Sequence, residues 1–224
     1  MQNPATIPQK RETISDPYVW LDRHQAVIDA NRVRNPRLVL IGDSITHYWG
    51  GEPRHDIQRG KDSWDAAFEP YRAVNMGFGM DDTRHVLWRI RHGELDGISP
   101  RVVQLLIGTN NLPLFTNIET ASAVHEILGE IHARLPRAKV LLLGVIPRAN
   151  RCGRIRALNQ LYATFDGAFG GTVSFHDAGR EVFCPGGCFR PDLFGDGTTH
   201  PNAEGNRLFA AAILPVLQRL FEAG

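Results

Sequence analysis

The sequence predicts an α/β fold, a three-layer α/β/α sandwich around a central, mostly parallel five-stranded sheet. Three observations carry this expectation. Short β-prone apolar runs at 38–41, 73–76, 102–107, 139–146 and 172–176 alternate with stretches of helical period. Three of those runs close on Gly42, Gly77 and Gly108, the mark of a tight turn at a strand end. The chain also has 224 residues, 42% of them apolar, enough for one domain with a substantial core. Strands alternating with helices imply parallel pairing, and parallel strands present all their carboxyl ends at one rim.

In chain order, residues 1–16 combine proline, mixed charge and no apolar period, and read as an extended N-terminal arm; residues 17–224 read as a single domain. Trp20, Leu21, Ala26, Val27 and Ile28 suggest an amphipathic helix that Asn35-Pro36 ends. A long loop at 50–62 follows the first strand, where loops commonly shape substrate access. Val86, Leu87 and Ile90 mark a helix over 83–91, capped by Asp81 or Asp82. Thr116 and Glu119 have capping-box spacing ahead of Ala121, Val124, Ile127, Leu128, Ile131 and Leu135. Ile155, Leu158, Leu161, Tyr162 and Phe165 predict another helix. A Gly- and Pro-rich loop over 178–199 leads to His200-Pro201, and the last helix carries Pro215, a predicted kink.

Composition excludes several classes of function. Lys and Arg total 25 against 24 acids, a net charge of +1, so no field exists to gather nucleic acid. No apolar run approaches the roughly 20 residues of a bilayer-spanning helix, and the start lacks a secretory apolar region. The chain reads as soluble: cytoplasmic if complete, secreted or periplasmic if a leader has been removed. Cys152, Cys184 and Cys188 are too few for a disulfide framework; free thiols are expected, with a Cys184–Cys188 bridge as the alternative in an oxidising compartment. No paired Cys or His spacing suggests zinc, and no metal or cofactor is expected.

The chemistry is expected at the strand ends. Ser44 follows the run Leu38-Val39-Leu40-Ile41-Gly42-Asp43 and would stand at the sheet rim, where open α/β sheets bind ligands. A serine at a helix start can attack an acyl carbon while nearby N–H groups hold the oxyanion, although Asp43 or Ser44 could simply cap a helix. The N–H groups of Ser44 and Gly77 and the side-chain amide of Asn110 are candidate oxyanion donors; a plain turn glycine and an Asx turn are the bland readings of the latter two. His200 is the candidate base among nine histidines, because it lies on the last long loop and Pro201 fixes its backbone. Asp196 is the nearest upstream acid that could orient the imidazole, and Asp192 is a second.

These blocks, Gly42-Asp43-Ser44-Ile45, Gly77, Gly108-Thr109-Asn110-Asn111 and Asp196…His200-Pro201, together resemble the GDSL or SGNH hydrolases, whose sheet is flavodoxin-like. The run from Asn75 through Ile90, then Gly93-Glu94-Leu95-Asp96 and Leu143-Gly144-Val145-Ile146-Pro147-Arg148, resembles the catalytic-subunit branch of the intracellular platelet-activating factor acetylhydrolases. The resemblance covers most of residues 38–214. It implies Ser44 as nucleophile, Gly77 and Asn110 as oxyanion donors, His200 as base and Asp196 as orienting acid. The family usually places its Asp three residues before the His, where this chain has Gly197. Either the loop bulges to return Asp196 to the imidazole, or Asp192 or backbone carbonyls orient His200.

The resemblance further implies a two-step esterase with a short acyl pocket. Acetyl esters of carbohydrates or small molecules are the expected substrates, with Trp49, Phe78, Phe115 and the 50–62 loop available to stack on a sugar. A phospholipid acetylhydrolase of the platelet-activating-factor type is the alternative, and a homodimer is plausible because related subunits pair. A non-catalytic carbohydrate- or protein-binding module on the same fold is a further reading, favoured only by the displaced Asp. Dinucleotide binding at Gly77-Phe78-Gly79 is disfavoured, since Asp82 stands where the third glycine belongs. The Gly42-Asp43-Ser44-Ile45-Thr46 run also lacks the second glycine of the α/β-hydrolase nucleophile elbow.

Overall fold

The structure is a computed structural model that describes residues 2–12 and 18–223. In order its elements are α1 (Trp20–Arg34), β1 (Leu38–Gly42), α2 (Ser44–His47), α3 (Lys61–Ala67), β2 (Val74–Gly77), α4 (Thr83–Arg89), β3 (Val102–Leu106), α5 (Asn117–Arg134), β4 (Lys139–Leu143), α6 (Cys152–Ala163), a single tight turn α7 (Ala168–Gly171), β5 (Val173–His176), α8 (Ala178–Phe183) and α9 (Ala203–Glu222). The five strands are all parallel, in the order β2-β1-β3-β4-β5. Alternate strand residues point to opposite faces. Val39, Ile41, Val103 and Leu105 therefore join one core with α1, α4, α5 and α6, while Leu38, Leu40, Leu141 and Leu143 join a second with α3, α8 and α9. That is the α/β/α sandwich expected. On α9, Phe209, Ile213 and Leu217 are fully buried at helical spacing, each contributing about 1.5–3 kcal/mol of transfer free energy.

Several elements differ from the sequence reading, each for a physical reason. Over its described part, residues 2–12, the N-terminal arm is not extended throughout: Pro4–Thr6 form a 3-10 turn whose Ala5 is fully buried, and the Ala5 carbonyl accepts from Thr83 Oγ1 at 3.0 Å. Residues 1 and 13–16 of that arm lie outside the described residues. Helix α1 presents a largely polar inner face of Trp20, Arg23, His24, Val27 and Asn31, with Leu21 exposed. Those polar groups meet backbone carbonyls: Arg23 reaches Gly77 (2.7 Å), His24 reaches His92 (3.0 Å) and Asn31 reaches Glu94 (2.8 Å). The 50–62 loop ends early in helix α3, and the 178–199 loop contains helix α8. Asp82, rather than Asp81, caps α4, and Thr116 and Glu119 form the expected capping box on α5.

In register, Gly42 of β1 lies between Gly77 of β2 and Leu106 of β3. The turns leaving these three strands thus meet at one rim.

Candidate active site

At that rim Asp43 caps α2 by accepting the Ile45 N–H at 2.9 Å, which starts the short helix on Ser44. Ser44 Oγ lies 2.9 Å from His200 Nε2, across 156 positions of sequence. His200 Nδ1 lies 2.6 Å from Asp196 Oδ2. The intervening residues fold into a bulge in which Gly197 adopts φ +71°, and Asp196 Oδ1 accepts the N–H groups of Thr198 (2.9 Å), Thr199 (2.7 Å) and His200 (3.1 Å). Partial burial opposes charge on Asp196, but these N–H groups and the imidazole hold its carboxyl well below the ordinary range. Asp192 is turned away, in a bidentate pair with Arg190 at 2.6 and 2.8 Å.

Gly77 does not present a free donor, which corrects its expected role. Its N–H donates to Asn75 Oδ1 at 2.9 Å. The glycine instead answers a close approach: a Cβ there would lie 2.2 Å from the His47 nitrogen. The following turn does offer a donor. Met80 adopts φ +65°, and neither its N–H nor that of Ser44 makes a hydrogen bond among the described residues. Asn110 Nδ2 donates to the Asp81 carbonyl at 2.9 Å, so the amide stands beside Met80 with a second N–H left over. The Phe78 N–H donates to the Gly42 carbonyl at 3.0 Å and joins this turn to the strand that carries Ser44.

The turn is held from behind by buried polar groups. His47 Nδ1 accepts the Gly79 N–H at 3.0 Å; burial, aided by the charge of Arg23, pushes this imidazole far below its usual range and keeps it neutral. Asp81 accepts from Trp20 Nε1 (2.8 Å) and Arg89 Nε (2.9 Å), and Arg89 also pairs with Glu94, all three charged side chains being inaccessible to solvent. Burial also pushes the Arg23 guanidinium down to about 10 and the Asp43 carboxyl up to about 7.

Two of the three aromatic residues expected to bind substrate do not reach the site. Trp49 is fully buried, stacked on Phe209 at 5.5 Å with Nε1 donating to Ser63 Oγ. Phe78 is equally buried, with the Arg89 guanidinium 4.0 Å above its ring. Phe115 is half-buried at the rim, beneath Arg84 at 5.1 Å, in the turn that begins at Asn111. The sequence reading missed Met80, a residue type that hides a left-handed turn, and Tyr48, taken as part of an apolar continuation although its ring lies 6.1 Å from that of His200.

Among the described residues no group of three or more His, Cys, Asp or Glu could hold a metal ion, and the three cysteines are free thiols. No helix among them is long and apolar enough to cross a membrane.

A parallel sheet whose rim gathers a hydroxyl, an imidazole, a carboxylate and unpaired N–H donors is the architecture of an acyl-transfer hydrolase. Residues 40–208 match the family model of the GDSL-like lipase/acylhydrolases, and the chain belongs to that family. It is 34% identical over 157 residues to the platelet-activating factor acetylhydrolase IB subunit alpha2 of Rattus norvegicus, an alignment covering 70% of this chain and 64% of the relative. The chain thus spans under two thirds of that relative's length. Among solved structures it resembles a carbohydrate esterase family 3 protein from Talaromyces cellulolyticus (TM-score 0.65, 21% identity, 84% of this chain and 98% of the other). It also resembles an acetyl-xylooligosaccharide esterase from Geobacillus stearothermophilus (TM-score 0.61, 19% identity, 80% and 93%). At those identities the likeness is one of fold.

Proposed function

We propose that this chain removes short, acetyl-sized acyl groups from esters of carbohydrates or other small alcohols, through an acyl-enzyme on Ser44. The reading rests above all on the relay from Ser44 Oγ to His200 Nε2 to Asp196 Oδ2, with spacings of 2.9 and 2.6 Å. Asp196 accepts a hydrogen bond from the Nδ1–H of His200, which keeps that proton on Nδ1 and leaves Nε2 with the lone pair that takes the serine proton. Oγ then bonds to the ester carbonyl carbon, and the new oxyanion is met by the Ser44 N–H, the Met80 N–H and Asn110 Nδ2. Collapse breaks the bond to the alcohol oxygen, which leaves with the proton from His200. Water, deprotonated by the same imidazole, attacks the acyl-serine and releases the acid.

The 34% identity to a platelet-activating factor acetylhydrolase subunit supports a second reading, in which the ester is an acetylated phospholipid. Side-by-side turnover of acetylated xylooligosaccharides and a phospholipid carrying an acetyl ester separates the two. The shared mechanism is tested by Ser44→Ala and by an organophosphonate. Turnover should vanish in the variant with its circular dichroism unchanged, and the reagent should label Ser44 alone. Full activity in Ser44→Ala removes the proposed nucleophile.

A further inference from the structure

In the proposed reaction the imidazole hands its proton to the departing alcohol, so the alcohol half of the ester must lie within reach of the imidazole. Tyr48 stands beside His200, with 6.1 Å between ring centroids. With His55, 5.2 Å from Tyr48, and Tyr18, 6.0 Å from His55, it forms a cluster packed around the buried His47, whose ring lies 4.5 Å from His55 and 4.7 Å from Tyr18. Tyr48 is nearly buried and backed by His47, stacked at 4.7 Å, whereas His55 and Tyr18 are half-exposed.

These rings are held in place before any ligand arrives. His55 Nδ1 accepts the Ile57 N–H at 3.0 Å, the Arg59 N–H donates to the Tyr48 carbonyl at 2.6 Å, and Tyr18 Oη donates to the Gly79 carbonyl at 3.0 Å. Asn75 Nδ2 further ties the start of the loop by donating to the carbonyls of Thr46, His47 and Gly50 at 2.8, 3.2 and 2.6 Å. Little ordering is left to oppose binding. Arg59, in the same loop, turns its guanidinium toward the segment that carries His200. A Cβ on Gly195, in the loop that carries His200, would sit 2.9 Å from Arg59 Nη1, and the guanidinium has neither ion pair nor hydrogen bond among the described residues.

We infer that Tyr48, His55 and Tyr18, with Arg59 of the same loop, receive the alcohol half of the ester and that this alcohol is a pyranose. The inference rests on the acyl-enzyme reading of Ser44 and His200. A sugar ring offers an apolar C–H face to aromatic rings and hydroxyl oxygens to a guanidinium, and this segment supplies both partners. The adjoining residues Arg54, Asp56, Gln58 and Arg59 are polar, with Ile57 the lone aliphatic among them, so a long alkyl chain has no bed along the loop.

The test compares kcat/KM on three acetyl esters: a per-acetylated methyl xyloside, ethyl acetate, whose alcohol is too small to reach the rings, and a phospholipid bearing an acetyl ester. In His55→Ala the xyloside-to-ethyl-acetate ratio should fall about tenfold, carried by KM, a loss on the scale of one aromatic contact. His55→Phe, which keeps a ring, should restore most of the ratio. An unchanged ratio in His55→Ala overturns the inference, as does a variant whose KM moves for the phospholipid and not for the xyloside. Ethyl acetate turnover by the unaltered protein reports the acyl-enzyme reading by itself; its absence, together with unlabelled Ser44, overturns both.

Discussion

Asp196 and His200 are four residues apart, one more than the spacing usual in this family, and yet Oδ2 lies 2.6 Å from Nδ1. The extra residue is absorbed by Gly197 at φ +71°, a conformation open to glycine without strain, while three successive N–H groups fasten the carboxylate. The displacement in sequence is therefore repaired in space, and the contact argues against a non-catalytic binding module.

Replacing that acid should show its role. Asp196→Asn is expected to lower kcat by about 10²- to 10⁴-fold, because the amide no longer favours the proton on Nδ1. Asp192→Asn, which only unpairs a surface arginine, should stay within about twofold. Steady-state kinetics on p-nitrophenyl acetate checks both, and equal losses would mean that neither acid is special.

Asn110→Ala should reduce kcat by about 10²- to 10³-fold with a small change in KM, the pattern of a donor that acts on the developing oxyanion. The same substitution frees the Asp81 carbonyl, so thermal unfolding should be followed alongside the kinetics. A loss confined to stability would remove Asn110 from the oxyanion site.

Asn75 holds three carbonyls through Nδ2 and accepts the Gly77 N–H and Arg23 Nη2 through Oδ1, all in a fully buried position. Asn75→Ala strands those groups, at an expected cost of about 3 kcal/mol or more. Calorimetry should show Tm lowered by roughly 6–12 °C.

The carboxyl of Asp43, raised by burial to about 7, gives a pH signature. Its pKa is higher folded than unfolded, so the native state binds this proton more tightly. The resulting stability is complete below about pH 4 and is lost as pH climbs through 7, with a ceiling of about 4 kcal/mol. Asn caps helices as well as Asp does. The Tm of Asp43→Asn should therefore gain on the unaltered protein between pH 4 and 8, and parallel curves would refute the assignment.

What could be read from the chain divides along a physical line. The strands, the Ser44 turn and the capping box at Thr116 and Glu119 are local: apolar runs, a terminating glycine and an i, i+3 pair announce themselves within a few residues. The fate of Trp49 and Phe78 is not local. Whether an indole faces a ligand or the ring of Phe209 depends on a helix 160 positions away, and an aromatic residue near a catalytic motif carries no sign of which. Helix α1 illustrates the same limit: Arg23 is buried because carbonyls of β2, more than 50 positions on, are there to meet it. Helix α3, seven residues long, is too short to show a period. Met80 escaped notice because its significance lies in a backbone angle and an unpaired N–H, neither of which a methionine advertises.

The brace beneath the site has a practical bearing on how much chain the reaction needs. The family match begins at residue 40, yet Trp20 and Arg23 hold Asp81 and Gly77, the two ends of the turn that offers the Met80 N–H. A polypeptide trimmed to the matched stretch would retain Ser44, Asn110, Asp196 and His200 and still lose the scaffold that sets their spacing. The smallest competent unit thus starts well upstream of the diagnostic signature, at or before helix α1.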